Sequence, residues 1–184
     1  VIKILRGDDK NQIRNSVKEA DFIIHLAGEN RPDNESMFTK VNVGLTIELC
    51  DAIQEKLDLT GSYTPLIFSS STQARLDNAY GRSKSEAESV ISEFSENSGN
   101  PCLIYRLPGV FGKWCKPNYN SVVATFCNNI SRGLPIEISD PDRTLTLVYI
   151  DDVVDSIIEQ LKASKIQSSF CSVFPEYSIT LGEL

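Results

Sequence analysis

The sequence predicts a doubly wound α/β domain built on a parallel sheet. Short apolar runs with few polar positions, such as "DFIIHLAG", "PLIFS" and "PCLIYR", read as strands buried on both faces. They alternate with stretches of helical period, the order that lays successive strands side by side in parallel. Three strand ends also carry distinctive residues: Gly28, the cluster Ser69–Ser71, and the stretch after Arg106. In open parallel sheets, ligands sit at such carboxyl ends.

Taken in order, Val1–Leu5 reads as a strand and Asn11–Ala20 as a short helix. Asp21–Gly28 is a buried strand running into a turn. Glu35–Lys56 is a long amphipathic helix with Phe38, Val41, Leu45, Leu49 and Ile53 on one stripe. After the strand "PLIFS", a helix is expected from Ala79 to about Glu96, with Gly99 beyond it as a stop signal. "PCLIYR" is the next strand. Asn120–Arg132 is expected to be helical, "PIEI" and "TLTLVYI" to be strands, and Asp151–Ala163 a helix opened by two aspartates. The final "TLGEL" reads as a helix start. Gly112–Tyr119 is the most irregular stretch, so residues 1–112 are expected to form one part and residues 113–184 a smaller C-terminal portion.

A chain of 184 residues with 41% hydrophobic and 23% charged positions is ordinary for a globular domain with a sizeable core. The net charge of −7 argues against a nucleic-acid-binding face, which needs basic residues. No apolar run approaches the ~18 residues that span a membrane, and no signal-peptide pattern opens the chain. Five cysteines, with no C-x-x-C pair, argue against a disulfide framework or a zinc site, so a reducing cytoplasm is expected. The single histidine, His25, cannot build a His-rich metal site, and no metal is expected.

Tyr80 and Lys84 stand four apart on one helix face, just after the strand that ends in Ser69–Ser71. An ammonium near a phenol favours the phenolate, so Lys84 is expected to lower the Tyr80 pKa from ~10 toward neutrality. A phenol tuned in this way can give or take a proton at a carbonyl or alcohol oxygen, and a neighbouring serine can hydrogen-bond that oxygen. Interconversion of C–OH and C=O also needs a hydride carrier, and a nicotinamide is the obvious one. The spacing Y-x-x-x-K is weak alone, arising by chance in about one such chain in three. Its placement between a serine-tipped strand and a helix start gives it weight.

"HLAG", "SSS" and "YGRSK", followed by "YRLPGVFG" and "LVYIDDVVDSI", resemble an extended short-chain dehydrogenase/reductase of the nucleotide-sugar epimerase/dehydratase type. "HLAGENRP" and "FGKWCKPNYNSVVATFCNNI" narrow the resemblance to the reductase domain of bifunctional capsular-polysaccharide enzymes that make UDP-N-acetyl-L-fucosamine. The resemblance implies a Rossmann-like domain. It also implies NADPH-dependent reduction, at C4, of a UDP-4-keto-6-deoxy-N-acetyl sugar, with NAD(H) not excluded. Tyr80 would protonate the C4 oxygen. Lys84 would hold the nicotinamide ribose, and Ser71 would bond the substrate oxygen, with Ser70 and Thr72 as the alternatives in register. Leu26, Ala27, Gly28, Asn42, Ser69, Arg106 and Pro108 would line the cofactor, Gly28 because backbone must come close there. Relatives pair through helices matching 35–56 and 79–96, which implies a homodimer.

The chain departs from the family pattern in three ways. The Gly-rich turn G-x-x-G-x-x-G is not in the sequence, and the expectation is that the first βα unit lies upstream of Val1, as a cupin domain would lie beyond Leu184. Gly109 stands where many relatives have Asn. Leu145 stands where many have a phosphate-holding Arg, leaving Arg143, Lys113 or Lys116 to supply positive charge.

Other residues carry two readings each. Trp114 could stack on the uracil or sugar, or anchor an irregular loop. Asn118 and Asn120 could contact the sugar nucleotide, or Asn120 could cap the following helix. Arg31 could meet a phosphate or carboxylate, or be a solvated loop arginine. Asp151 and Asp152 read best as acids offsetting a helix dipole, and His25 as a satisfied buried polar group. The rival functions are a 4-epimerase or 4,6-dehydratase on the same scaffold, and a dinucleotide-sensing module without catalysis; a third alternative is an inactive fragment, since without the Gly-rich turn the chain as given is not expected to hold the dinucleotide tightly. Thr72–Gln73, where a dehydratase places acids, counts against the dehydratase. The presence of both Tyr80 and Lys84 counts against the sensor.

Overall fold

The structure, a computed structural model, describes residues 1–5 and 9–184. Its elements in chain order are α1 (Lys10–Glu19), β1 (Ile23–His25), α2 (Ser36–Phe38), a π-helical turn (Thr39–Val43), α3 (Gly44–Thr60), β2 (Leu66–Ser71), a 3-10 turn (Thr72–Arg75), α4 (Ala79–Ser98), β3 (Cys102–Leu107), β4 (Gly109–Phe111), α5 (Val122–Ser131), β5 (Thr144–Tyr149), α6 (Ile150–Lys162), β6 (Ser169–Cys171) and β7 (Glu176–Thr180). They fall into two compact units, Val1–Arg106 with Ser164–Cys171, and Leu107–Ala163 with Ser172–Leu184.

The first unit holds a four-stranded sheet in the order β1-β2-β3-β6. β1 runs parallel to β2, with Ile23 opposite Leu66, and β3 parallel to β6, with Leu103 opposite Ser169. Leu66 and Phe68 of β2 and Cys102 and Ile104 of β3 pack with Ile13 and Val17 of α1, Leu49 and Ile53 of α3, and Ala87 and Ile91 of α4. The alternating residues Ile67, Leu103 and Tyr105, which point to the opposite face, are also buried. Both faces are therefore covered, as a parallel sheet requires. Asp9 opens α1 with a capping box: its carboxylate accepts from the Gln12 N–H and the Gln12 side chain accepts from the Asp9 N–H. Gly61 and Gly99 end α3 and α4 in the left-handed conformation, each donating its N–H back into the last turn.

The second unit holds a three-stranded sheet in the order β4-β5-β7. β4 is parallel to β5, and β7 is antiparallel to it.

Several expectations change. Val1–Leu5 forms no strand, and its residues are exposed. "PIEI" likewise stays irregular and exposed. The single helix expected over Glu35–Lys56 is broken by the π turn and then runs on to Thr60. "TLGEL" closes as a turn, in which the Glu183 carboxylate accepts from the Thr180 N–H and hydroxyl. β4, β6 and β7 were not expected: two are three-residue strands too short to show a period.

Candidate active site

The end of β2 and the face of α4 form a clasp. Ser71 closes the strand, and its hydroxyl accepts from the Gln73 N–H at 3.2 Å, starting the 3-10 turn. Asn78 caps α4 by accepting from the Gly81 N–H at 2.7 Å. On α4, Tyr80, Lys84 and Glu88 recur every four residues and share one face. Lys84 and Glu88 each meet one serine of the strand end. The Lys84 Nζ donates to the Ser69 carbonyl at 2.9 Å. The Ser70 hydroxyl donates to the Glu88 carboxylate at 2.5 Å. Ser71 lies on the Tyr80 side of this end, where its side chain acts to lower the Tyr80 pKa.

Charge in this clasp is governed by burial. Lys84 is 5% exposed, with its Nζ 4.7 Å from the centre of the Phe68 ring. Burial pulls its pKa down to about 8, against the opposing pull of Glu88. The Tyr80 phenol is pushed up from its ordinary value by burial, with the Ser71 hydrogen bond opposing. This reverses the expectation that Lys84 lowers Tyr80: the ammonium is directed to the Ser69 carbonyl, and desolvation of the phenolate wins.

β1 delivers the other side. Leu26, Ala27 and Gly28 lie exposed just beyond its end. A Cβ on Gly28 would stand 3.2 Å from both Asn42 Oδ1 and Lys84 Nζ, so glycine keeps this approach open. Asn42, buried in the π turn, accepts from the Glu29 N–H at 2.6 Å and donates to the Glu29 carbonyl and to Ser83 Oγ. Ser83 in turn donates to the Tyr80 carbonyl at 2.8 Å. One amide thus ties the Gly28 turn to the first turn of α4, and the π turn aims it inward. The Phe38 ring packs on Tyr80 at 5.9 Å between centroids. His25 faces Thr46 at 3.1 Å, and burial, with the Lys84 charge second, brings its pKa down to about 4. It is the satisfied buried polar group that the sequence suggested.

Arg106 turns its guanidinium to Glu88, with Nε at 2.9 Å and Nη2 at 2.6 Å, and lies over the Phe170 ring. Arg31 is exposed beyond the Gly28 turn. Pro108, Lys113, Trp114, Lys116, Asn118, Asn120 and Arg143 belong to the second unit. There, Lys113 pairs with Asp151 at 2.6 Å, which gives that aspartate a partner beyond the helix dipole. Trp114 is fully exposed at a positive φ of 65°, and Asn118 also has positive φ. Lys116 lies 5.8 Å from the centre of the Tyr119 ring, and Arg143 is exposed. Asn120 does not cap the helix. Ser121 does, accepting from the Ala124 N–H at 3.2 Å.

Three residues of the clasp escaped the sequence reading: Glu88, Ser83 and Gly81. A Cβ on Gly81 would lie 2.3 Å from the Gln73 carbonyl and 2.5 Å from that of Leu76, so only glycine lets the 3-10 turn sit on the start of α4. The signal for Glu88 was its place one helical turn after Lys84.

Residues 3–169 match the model of a family described as the NAD dependent epimerase/dehydratase family. The chain is 42% identical, over all of its 184 residues, to a UDP-2-acetamido-2,6-beta-L-arabino-hexul-4-ose reductase of Pseudomonas aeruginosa strain PA103, and covers 48% of that protein. It resembles the crystal structure of the capsular polysaccharide assembling protein CapF from Staphylococcus aureus, with a TM-score of 0.83 and 38% identity, over 99% of this chain and 48% of that one. A UDP-glucuronic acid 4-epimerase from Bacillus cereus in complex with NAD shares the fold, with a TM-score of 0.80 at 18% identity over 100% of this chain and 62% of that one. The chain spans about half the length of the curated relative it matches.

Proposed function

The chain belongs to the NAD dependent epimerase/dehydratase family, and on that premise we propose that it carries the proton-transfer site of an NADPH-dependent reductase. The substrate is a UDP-4-keto-6-deoxy-N-acetylhexosamine, reduced at C4 during synthesis of capsule or O-antigen sugar precursors. The name of the 42%-identical relative, a hexul-4-ose reductase, supports this substrate class.

The residues fit a dinucleotide. Gly28 leaves a cradle between Asn42 Oδ1 and Lys84 Nζ that a Cβ would crowd, at the carboxyl end of a parallel strand. When bound, the dinucleotide supplies hydride to the C4 carbon. Tyr80 gives its phenol proton to the C4 oxygen, and Ser71 hydrogen-bonds the same oxygen. Lys84 reaches the ribose hydroxyls. Asn42 fixes the Gly28 turn against α4, so that strand end and helix keep one geometry. Leu26, Ala27, Ser69, Arg106 and Pro108 complete the cofactor side in this reading. Arg31, Lys113, Trp114, Lys116, Asn118, Asn120 and Arg143 complete the sugar-nucleotide side.

The observation that carries the reading is the shared face of α4, where Tyr80 and Lys84 stand one turn apart against the serine-tipped end of β2, with Lys84 Nζ 2.9 Å from the Ser69 carbonyl. A phenol on that face can give a proton to a ketone oxygen, as reduction requires. The turn Thr72–Arg75 beside Ser71 bears no carboxylate, which separates this site from a dehydratase. All five cysteines are free, in keeping with a cytoplasmic setting. Ile47 and Leu59 stand exposed on α3, where a homodimer would bury them.

The test is NADPH oxidation by the protein with a UDP-4-keto-6-deoxy-N-acetylhexosamine, beside NADH and beside Tyr80→Phe. Turnover that prefers NADPH and falls at least ~100-fold in the variant supports the reading. Dinucleotide binding without oxidation overturns it, in favour of an epimerase or a sensing module.

A further inference from the structure

We infer that Glu88 is a positioning residue of this site: its carboxylate locks the end of β2 to the Tyr80–Lys84 face of α4 and places a negative charge one helical turn from Lys84. The inference deepens the reductase reading and rests on it.

The geometry begins with an expense. Glu88 is 3% exposed, and a carboxylate at such depth is costly unless it is fully paired. Here it accepts from the Ser70 hydroxyl, from Arg106 Nε and from Arg106 Nη2. Buried pairs of this kind are commonly replaceable by apolar residues without loss of stability. A fold that needed only packing between α4 and β3 had that cheaper solution. What an apolar residue cannot supply is a fixed charge one helical turn beyond Lys84.

That charge bears on Lys84. Among the described residues its Nζ donates to a neutral acceptor, the Ser69 carbonyl, and it is nearly as buried as Glu88. The groups that face it from neighbouring elements are His25 of β1, held neutral by burial, and the Asn42 amide, which is neutral. Tyr80 and Glu88 come from its own helix, and Arg106 of β3 stands behind Glu88. Glu88 is the one of these that favours the Lys84 cation. Arg106 offsets part of that charge, so loss of Glu88 alone leaves a stranded guanidinium that disfavours the Lys84 ammonium further.

The clasp gives the same residue a mechanical part. Ser69, Ser70 and Ser71 are consecutive; the first accepts from Lys84, and the third lies on the Tyr80 side. The middle serine points its hydroxyl to Glu88. Slippage of α4 along β2 would have to break this buried bond, so Glu88 sets the register of the strand end against the Tyr80–Lys84 face.

The experiment titrates Lys84 itself. Protein carrying 13C-labelled lysine is followed by the side-chain Cε resonance against pH, with Lys84→Met giving the assignment. Glu88→Gln is expected to lower the Lys84 midpoint by about half a pH unit or more. Glu88→Gln with Arg106→Gln lowers it by less, and Glu88→Asp stays nearest to wild type. The alkaline limb of kcat/KM for NADPH oxidation moves in the same order. If Glu88→Gln fails to fold, the double variant, which carries no stranded cation, bears the test. An unmoved Lys84 midpoint in the variants that fold, with only thermal stability changed, overturns the inference. The titration needs no turnover. A wild type that oxidises no NADPH would therefore sink the reductase reading while leaving the Lys84 result to be judged separately.

Discussion

Acid should destabilise this protein before its carboxylates titrate, and His25 is the reason. Thr46 donates its one hydroxyl proton to the Asn42 carbonyl at 2.6 Å. Its oxygen is left to accept, so the His25 Nε2 facing it at 3.1 Å carries the proton of the neutral ring. A second proton would create a cation in a site 5% exposed and beside Lys84. Burial first and the Lys84 charge second bring the folded pKa from 6.5 down to about 4. Between those values the unfolded chain binds a proton that the folded chain refuses. Stability from this group is therefore fully present above pH 6.5 and is lost as the pH falls toward about 4. At about 1.36 kcal/mol per pH unit the whole gap is worth about 3 kcal/mol, of which about 2 kcal/mol is gone by pH 5. That is a large share of an ordinary domain stability of about 5–15 kcal/mol. Urea unfolding at steps from pH 7.5 to pH 5 reads it directly. His25→Gln, which retains a donor for Thr46, should flatten the profile across that window. Because the chain has one histidine, its C2–H proton resonance reports the folded pKa without ambiguity. A resonance that titrates near 6.5 in the folded protein, or a variant as pH-sensitive as wild type, would refute the reasoning.

Three further outcomes follow from the same geometry. Tyr80→Phe retains the ring packed on Phe38 and removes the proton, so thermal unfolding should be nearly unchanged while NADPH oxidation drops at least ~100-fold. Gly81→Ala drives a methyl into the Gln73 and Leu76 carbonyls; it should cost about 1–3 kcal/mol in a denaturant titration and carry activity down with it, because the displaced turn bears Tyr80. Asn42→Ala removes the acceptor of the Glu29 N–H and the donor to the Ser83 oxygen. A loss of about 1–3 kcal/mol and a raised KM for the dinucleotide are expected, and an unchanged KM would count against its part in shaping the Gly28 turn.

The parallel sheet of the first unit was legible because its strands advertise themselves. β2 and β3 are apolar on both faces, and each is followed by a residue that stops or turns the chain. The helices after them were legible for the same reason, down to Gly99 as the end of α4. What failed is what depends on partners. "VIKIL" and "PIEI" have the composition of strands, but both stretches are exposed and neither is a strand in the structure. β6 is three residues long with Phe170 exposed, and only its register with β3 defines it. The break in the Glu35–Lys56 helix leaves no mark in the apolar stripe, since a π turn inserts one residue without changing which types are apolar. Its trace is polar: Asn42, between two valines, is 1% exposed.

The site divides along the same line. Tyr80, Lys84 and Ser71 are separated by few residues, so local spacing was enough to bring them together. Their electrostatics was not local. The effect of Lys84 on Tyr80 is a question of where an ammonium points and how much water remains, and the Ser69 carbonyl and the depth of the phenol answer it. The three serines have the same lesson in them. Read singly, each competed for one role at the substrate oxygen. In the structure Ser69 and Ser70 are engaged with two successive turns of α4, through a carbonyl and a hydroxyl, while the Ser71 hydroxyl accepts from the Gln73 N–H. Ser70 gives its hydroxyl to a buried carboxylate, which leaves Ser71, on the Tyr80 side, as the serine for the proposed substrate oxygen. The choice among neighbouring serines is thus made by Glu88, seventeen residues beyond Ser71 in sequence, a residue that no pattern at the strand end announces.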